Sequence, residues 1–232
     1  METPLNGFAG VLRTALGAQW QHLHPDIRAR FTLAPGASRQ SFSGVMREIR
    51  RSPIGYLIAQ LIAFVRILPA AHARNVPFEF NLSPAPAAGW IKQRLYHFHQ
   101  GRFEFRSVMR IARNGELIEQ FPCGLGMKIK LAAEGNQGDK LVFRDDGYFL
   151  RLGTRGALRL PLPRWLTVGR FTLTHQNIDH DNFTVEISLD HPWLGQLFYQ
   201  AGSFKQAPDI RSAARLFNAP DRAHTAAHET VF

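Results

Sequence analysis

From Val76 to Phe204 the sequence shows no helical periodicity: it is a succession of short segments whose apolar residues alternate with polar ones, separated by turn residues. The segments run over 76–82, 90–98, 102–112, 116–121, 126–132, 140–144, 148–152, 157–160, 168–176, 182–189 and 196–204. Asn114-Gly115, Asp146-Gly147 and Asp181-Asn182 mark hairpins, because these residues tolerate the positive φ that tight turns require. Parallel strands need crossovers of a dozen residues or more, so connections this short dictate an antiparallel meander. An open twisted sheet of roughly ten strands tends to curl or close. The expected fold is therefore α+β and mainly β: a long curved antiparallel sheet or open barrel of roughly ten strands. In the last segment Leu197, Tyr199 and Ala201 face opposite to Phe198, Gln200 and Gly202, which puts that strand inside the sheet, with Trp193 expected against the core.

The N-terminal third differs in texture. Phe8, Val11, Leu12, Ala15, Leu16 and Trp20 recur at helical spacing, predicting a helix over 8–20 that His24-Pro25 ends. A turn or helix at 26–31 and a loop at Ala34-Pro35-Gly36-Ala37 lead to a strand over 39–46, followed by MREIRRS with its cluster of Arg47, Arg50 and Arg51. Ser52-Pro53 starts a second helix and Leu68-Pro69 stops it. Ile54, Leu57, Ile58, Leu61, Ile62, Val65 and Leu68 give it one broad apolar face. Sixteen residues interrupted by Gln60 and Arg66 are too few to cross a bilayer, which takes roughly 20. The helix is expected to pack in the concave side of the sheet. Residues 1–205 read as one domain; 206–232 read as a short helix, 208–218, and a loose tail.

The formal charge is +10, carried by 23 Arg and 5 Lys, and residues 1–74 hold nine Arg against three acids. That excess predicts either attraction to polyanions or an arginine-coated surface. Nucleic acid is not expected as a partner, since the aromatics alternate as core residues do and no recognised binding motif is present. One cysteine, Cys123, excludes an intramolecular disulfide and reads as a small structural hydrophobe. With a start lacking the basic and apolar runs of a signal peptide, it suggests a cytoplasmic location.

Several motifs carry a likeness. LGAQW near the start, Trp90 and Arg94 followed by Phe103 and Ser107, Glu119 and Gly124, LPLP at 160–163, and HPWLGQLFYQAGSF at 191–204 together resemble a bacterial family of unknown function. Its members occur alone or C-terminal to saccharopine dehydrogenase-like reductases. The resemblance covers about residues 5–205 and implies a single domain with a reductase as a possible partner. No dinucleotide loop accompanies it: GLGMKI at 124–129 lacks a third glycine and precedes no helix.

No complete catalytic or metal signature is present. His97 and His99 alternate on a strand and could share an ion with Glu104 or Glu119, but two histidines beside a hairpin tip do not define a site, and no metal or cofactor is assigned. As acid/base groups the candidates are His97, His99, Glu104 and Glu119. Arg94 and Glu119 are candidates for a buried pair beneath a ligand, Arg holding a carboxylate or phosphate by two parallel hydrogen bonds. Three functions follow. The first is binding of a hydrophobic, lipid-like or polyketide-like molecule in an apolar pocket lined by Trp90, Arg94, Tyr96, Phe98, Phe103, Trp193 and Tyr199. The second is a cofactor-independent enzyme, or a reductase accessory domain, acting on a hydrophobic substrate. The third is a peripheral module making weak anionic membrane contact through Arg47, Arg50, Arg51 and the apolar helix.

Overall fold

The computed structural model describes residues 7–34, 37–61, 72–85, 89–152 and 158–207, without the side chains of 59–61. The helix and tail expected beyond 206, the turn at 35–36 and the helix end at 68–69 lie outside the described residues.

The described strands are β1 (Gln40–Arg51), β2 (Ala73–Pro84), β3 (Trp90–Phe98), β4 (Gly101–Ile111), β5 (Leu117–Gln120), β6 (Leu125–Glu134), β7 (Lys140–Leu152), β8 (Leu158–Leu162), β9 (Arg170–Asn177), β10 (Asn182–His191) and β11 (Gly195–Ala207). Neighbours pair in sequence order from β1 to β7, then β7 pairs with β9, β9 with β10, β10 with β11, and β11 returns to β1. Ten antiparallel strands thus close into a barrel in which every strand has a neighbour on each side. β8 stands outside the ring, paired with the second half of β7.

Two strand readings need correction. The segments expected at 140–144 and 148–152 are one strand, β7, and Asp146-Gly147 is not a hairpin but a bulge: Ile129 pairs with Asp145 and Met127 with Tyr148, so two residues of β7 face one of β6. Gly147, at φ 111°, supplies the bend there, and across it β7 exchanges β9 for β8 along its other edge. The first strand runs on to Arg51 through a register shift between Met46 and Glu48, so MREIRR is strand, with Arg47 and Arg50 exposed and Arg51 buried, its guanidinium over the Phe198 ring.

Inward residues are mostly large and aromatic. Phe78 lies 4.6 Å from Tyr96 and 5.4 Å from Phe204, and Phe183 bridges Phe42 and Phe204 at 5.6 and 5.5 Å. Outward positions carry Glu79, Glu104, Arg106 and Lys205, the reverse of the apolar-out pattern of a membrane-spanning barrel. No helix among the described residues is long and apolar enough to cross a membrane.

The end where β1 begins is closed by helix α1 (Phe8–Leu16), a 3-10 turn over Gly17–His22 and helix α2 (Pro25–Arg30). Leu12, Leu23 and Ile27 are fully buried beneath them, Phe8 meets Trp90 at 6.1 Å, and Phe31 meets Phe42 at 6.1 Å. Arg30 fixes this cap. Its guanidinium donates to His175 Nε2 (3.0 Å), Asn177 Oδ1 (2.8 Å) and the carbonyls of Asp179 and His180 (3.0 and 3.1 Å), while its own carbonyl accepts from Gln40 Nε2 (3.1 Å). Because His175 Nε2 must accept, the imidazole is neutral, and burial together with the Arg30 charge holds it well below its ordinary value.

At the opposite end, the mouth, sits helix α3 (Pro53–Leu61), capped as expected by Ser52 Oγ accepting from Gly55 N at 3.0 Å. It does not enter the barrel. Gly55 rests on the Leu197 carbonyl so closely that a Cβ would lie 2.0 Å from it, which seats α3 on β11, and Ile54, Tyr56 and Leu57 face outward exposed. Aromatic side chains from the strands occupy much of the interior, and the N-terminal helices take the covering role expected of this one. Trp193 is likewise 76% exposed, because the turn between β10 and β11 projects it past the barrel wall.

Candidate functional site

The period-2 alternation of β3 sends Trp90, Lys92, Arg94, Tyr96 and Phe98 inward. β4 contributes Ser107, paired in register with Lys92, and β5 contributes Glu119, paired with Met109. Two cations and one carboxylate therefore meet inside an apolar barrel. Lys92 Nζ lies 2.8 Å from Glu119 Oε2; Arg94 Nη2 donates to Glu119 Oε1 at 3.0 Å and Nη1 to Ser107 Oγ at 3.0 Å; the Ser107 hydroxyl donates to Glu119 Oε1 at 2.5 Å. Lys92, Ser107 and Glu119 are buried, Glu119 most completely, and the Arg94 side chain is 11% exposed. The Arg94 guanidinium also lies over the rings of Phe105 (4.7 Å) and Phe80 (5.6 Å).

Burial alone would raise the Glu119 carboxyl, but Lys92, Arg94 and the Ser107 hydroxyl overcome it and hold the group at about 2. Burial pulls Lys92 down to about 8 against the attraction of Glu119, with Arg94 adding to the fall. At neutral pH the cluster thus carries two positive charges against one negative. An uncompensated charge in such surroundings is costly unless something pairs with it. Beyond its bonds to Ser107 and Glu119, the Arg94 fork has no further hydrogen-bond partner among the described residues.

Arg94 forms part of the wall between two cavities, together with Leu173, Ile187 and Gln200. The inner cavity, about 80 Å³, lies toward the capped end among Phe8, Phe31, Phe42, Phe80, Phe143 and Phe183. The outer one, about 90 Å³, lies toward the mouth among Phe105, Phe121, Leu125, Met127, Tyr148 and Phe171. Each exceeds several-fold the roughly 10–15 Å³ that one water needs. Tyr148 is buried on the outer wall with a hydroxyl that has no partner among the described residues, and burial together with Asp145 pushes that hydroxyl up. On the dividing wall, Tyr96 donates to Gln200 Oε1 at 3.1 Å.

The expected site residues separate into groups. Arg94 and Glu119 form the buried pair, and Tyr96 lines the outer cavity. Trp90 is packed under the cap, and Phe98 stacks on Tyr96 while Phe103 meets it edge-on, both at 5.9 Å; none of the three borders either cavity. Tyr199 lies on the outer face beneath Arg50, and Trp193 is in solvent. The four acid/base candidates do not make one constellation. His97 pairs with Glu79 at 3.1 Å on the outer wall, Glu104 binds Gln93, Arg102 and Arg106 there, and His99 stands exposed in the turn, while Glu119 points inward. Glu119, ionised and engaged by three donors, is a poor proton acceptor. Among the described residues no cluster of three or more His, Cys, Asp or Glu side chains could hold a metal ion. Cys123 is exposed in the turn after β5 rather than packed.

Lys92, Ser107, Tyr148 and Gln200 are not among the site residues expected from sequence. Lys92 and Ser107 share the inward parity of Arg94 and Phe105, so alternation alone could have placed the first two. Tyr148 and Gln200 could not be placed without the closure that brings distant strands face to face.

A family model covers residues 23–204, from α2 into the last strand, and so includes the cluster and the lining of both cavities apart from Phe8. The chain belongs to the DUF4166 family, a domain of unknown function. This DUF4166 chain is also similar to the uncharacterized protein YndH of Bacillus subtilis (strain 168), at 24% identity over 193 residues, covering 79% of this chain and 91% of that protein.

Proposed function

We propose that the barrel binds a small amphipathic anion, a lipid-like molecule whose carboxylate or phosphate pairs with Arg94 while its apolar part occupies a phenylalanine-lined cavity. The observation that carries this reading is the excess positive charge of the Lys92–Arg94–Glu119 cluster, set in the wall shared by two apolar cavities. An apolar pocket with a few fixed polar groups is the usual form of a small-molecule site. Arg suits the headgroup because its planar fork can offer parallel donors to an oxyanion while still holding Glu119. The unpartnered Tyr148 hydroxyl supports the outer cavity as the place of binding, since a ligand oxygen there would satisfy it.

The test is native mass spectrometry of the purified protein for a co-purified molecule, followed by calorimetric titration with dodecanoate and dodecyl phosphate. Wild type should take up one equivalent, Arg94→Leu should lose at least ten-fold in affinity, and Arg106→Leu, on the outer wall, should match wild type. Absence of both a bound mass and saturable uptake would eliminate the proposal.

A further inference from the structure

Large apolar side chains are unevenly distributed over the surface. Among the described residues twelve stand exposed, and ten of these lie at the mouth; Val45 and Ile178 are the exceptions. They come from three separate places: α3, the turn between β10 and β11, and the segment from the end of β7 through β8 to β9. Strand register puts all three at one end, since Arg51 pairs with Phe198, His191 with Gly195, Asp190 with Arg170 and Leu152 with Leu158. The most exposed are Leu57 (60%), Trp165 (63%), Leu166 (60%) and Trp193 (76%).

The charge along the third of these places has one sign. Residues 150–152 and 158–170 contain Arg151, Arg159, Arg164 and Arg170 and no carboxylate, interleaved with Leu152, Leu158, Leu160, Trp165 and Leu166. Arg50 is exposed beside α3, with Glu48 at 3.9 Å, and Asp190 is the acid nearest in register to Arg170. Tryptophan and leucine tips set among arginines are the composition of a membrane interface, where the rings sit at headgroup depth and the guanidinium groups meet phosphates. A barrel end is also the right shape: three projecting tips can insert while the hydrogen-bonded wall stays in water.

We infer that the mouth of the barrel docks on an anionic phospholipid bilayer, with Trp165, Leu166, Trp193 and Leu57 entering the interface and Arg50, Arg164 and Arg170 contacting lipid phosphates. The arginine cluster expected from sequence is not the contact as such, because Arg51 is turned into the barrel and the β7–β9 segment supplies the charge instead. The outer cavity lies at this same end, lined by Phe121, Leu125 and Val168, so docking would place it against the bilayer. Docking requires no ligand in the barrel and stands or falls separately from the binding proposal.

Sedimentation of the full chain with vesicles of phosphatidylcholine, alone or with one quarter phosphatidylglycerol, tests it. Wild type should partition at least ten-fold more strongly to the anionic vesicles at low salt, since each arginine near the surface contributes roughly five-fold. Trp165→Ser with Trp193→Ser should lose that binding, Arg164→Glu with Arg170→Glu should lose the preference for anionic vesicles, and Ile178→Ser should leave both intact. Equal partitioning of wild type to the two vesicles, absence of binding, or an equal loss in Ile178→Ser would overturn the inference. So would light scattering showing that the tryptophan variant abolishes a dimer while vesicle binding persists, since the mouth would then be an interface between copies. Unchanged thermal unfolding of each variant keeps the comparison one of surfaces.

Discussion

Lys92 and Arg94, alternate residues of one strand, hold different oxygens of a single carboxylate, Glu119, at 2.8 and 3.0 Å. The three charges are unequal in consequence. Glu119→Gln leaves two buried cations without a counter-charge and should cost about 3–5 kcal/mol, the usual result of breaking a buried pair from one side. Lys92→Met leaves Arg94 and Glu119 balanced and should cost less than about 2 kcal/mol. Urea unfolding of the two variants measures the difference; equal losses would contradict the charge inequality.

The same inequality sets the pH dependence of anion binding. Lys92 titrates at about 8, so the cluster falls from two charges against one to one against one as pH rises through that value. Affinity for dodecanoate should therefore be higher at pH 7 than at pH 9, and Lys92→Met at pH 7 should bind as wild type does at pH 9. Calorimetry at the two pH values reads this directly.

His175 makes stability itself depend on pH in the opposite range. Its folded-state value lies well below 6.5, so below pH 6.5 the unfolded chain binds a proton that the folded chain refuses. The stabilisation is present above pH 6.5 and is lost as pH falls, by up to about 1.4 kcal/mol per unit. His175→Gln should flatten the decline between pH 6.5 and 5. Glu119, depressed from 4.5 to about 2, contributes its loss only below that window.

Tyr148→Phe removes a buried hydroxyl without a partner among the described residues. Unliganded protein should become more stable by up to about 1 kcal/mol, because no hydrogen bond is lost and a desolvation penalty is relieved. Affinity for the anion should fall. Thermal unfolding and titration of one preparation separate the two effects.

Gly55→Ala tests the seat of α3. A methyl group there would meet the Leu197 carbonyl, so the helix must lift from β11 at a cost of about 1–3 kcal/mol. Hydrogen exchange should rise in α3 and at the start of β11 and stay unchanged in the cap.

What the sequence made legible is what depends on neighbours along the chain. Alternation put apolar residues on both faces of β11 and so placed it within the sheet, the Ser52-Pro53 signal placed the start of α3, and the shared parity of Arg94 and Tyr96 put both in the interior. The tendency to close was legible in the number of strands; which strands meet was not, because the pairing of β7 with β9 runs up to Gly147, whose Asp-Gly signature reads equally well as a hairpin. Apolarity misled at Trp193 and α3 for one reason: periodicity reports which residues share a face, not whether that face meets the core. The Arg94–Glu119 pair was anticipated; its excess charge was not, because the weight of Lys92 appears only once β3, β4 and β5 lie side by side.

Closing the ring also bears on how copies of the chain behave toward one another. Of the described strands only β8 has a single neighbour, and Pro161 lies within it, paired in register with Phe149. A proline can join such a ladder only with its nitrogen turned away from the neighbour, so the outward flank of β8 lacks a donor where a further strand would need one. The outermost strand is thereby a poor template for strand addition, and where the ring leaves one strand with a single neighbour, one imino acid guards a crowded population of these barrels against edge-to-edge polymerisation there.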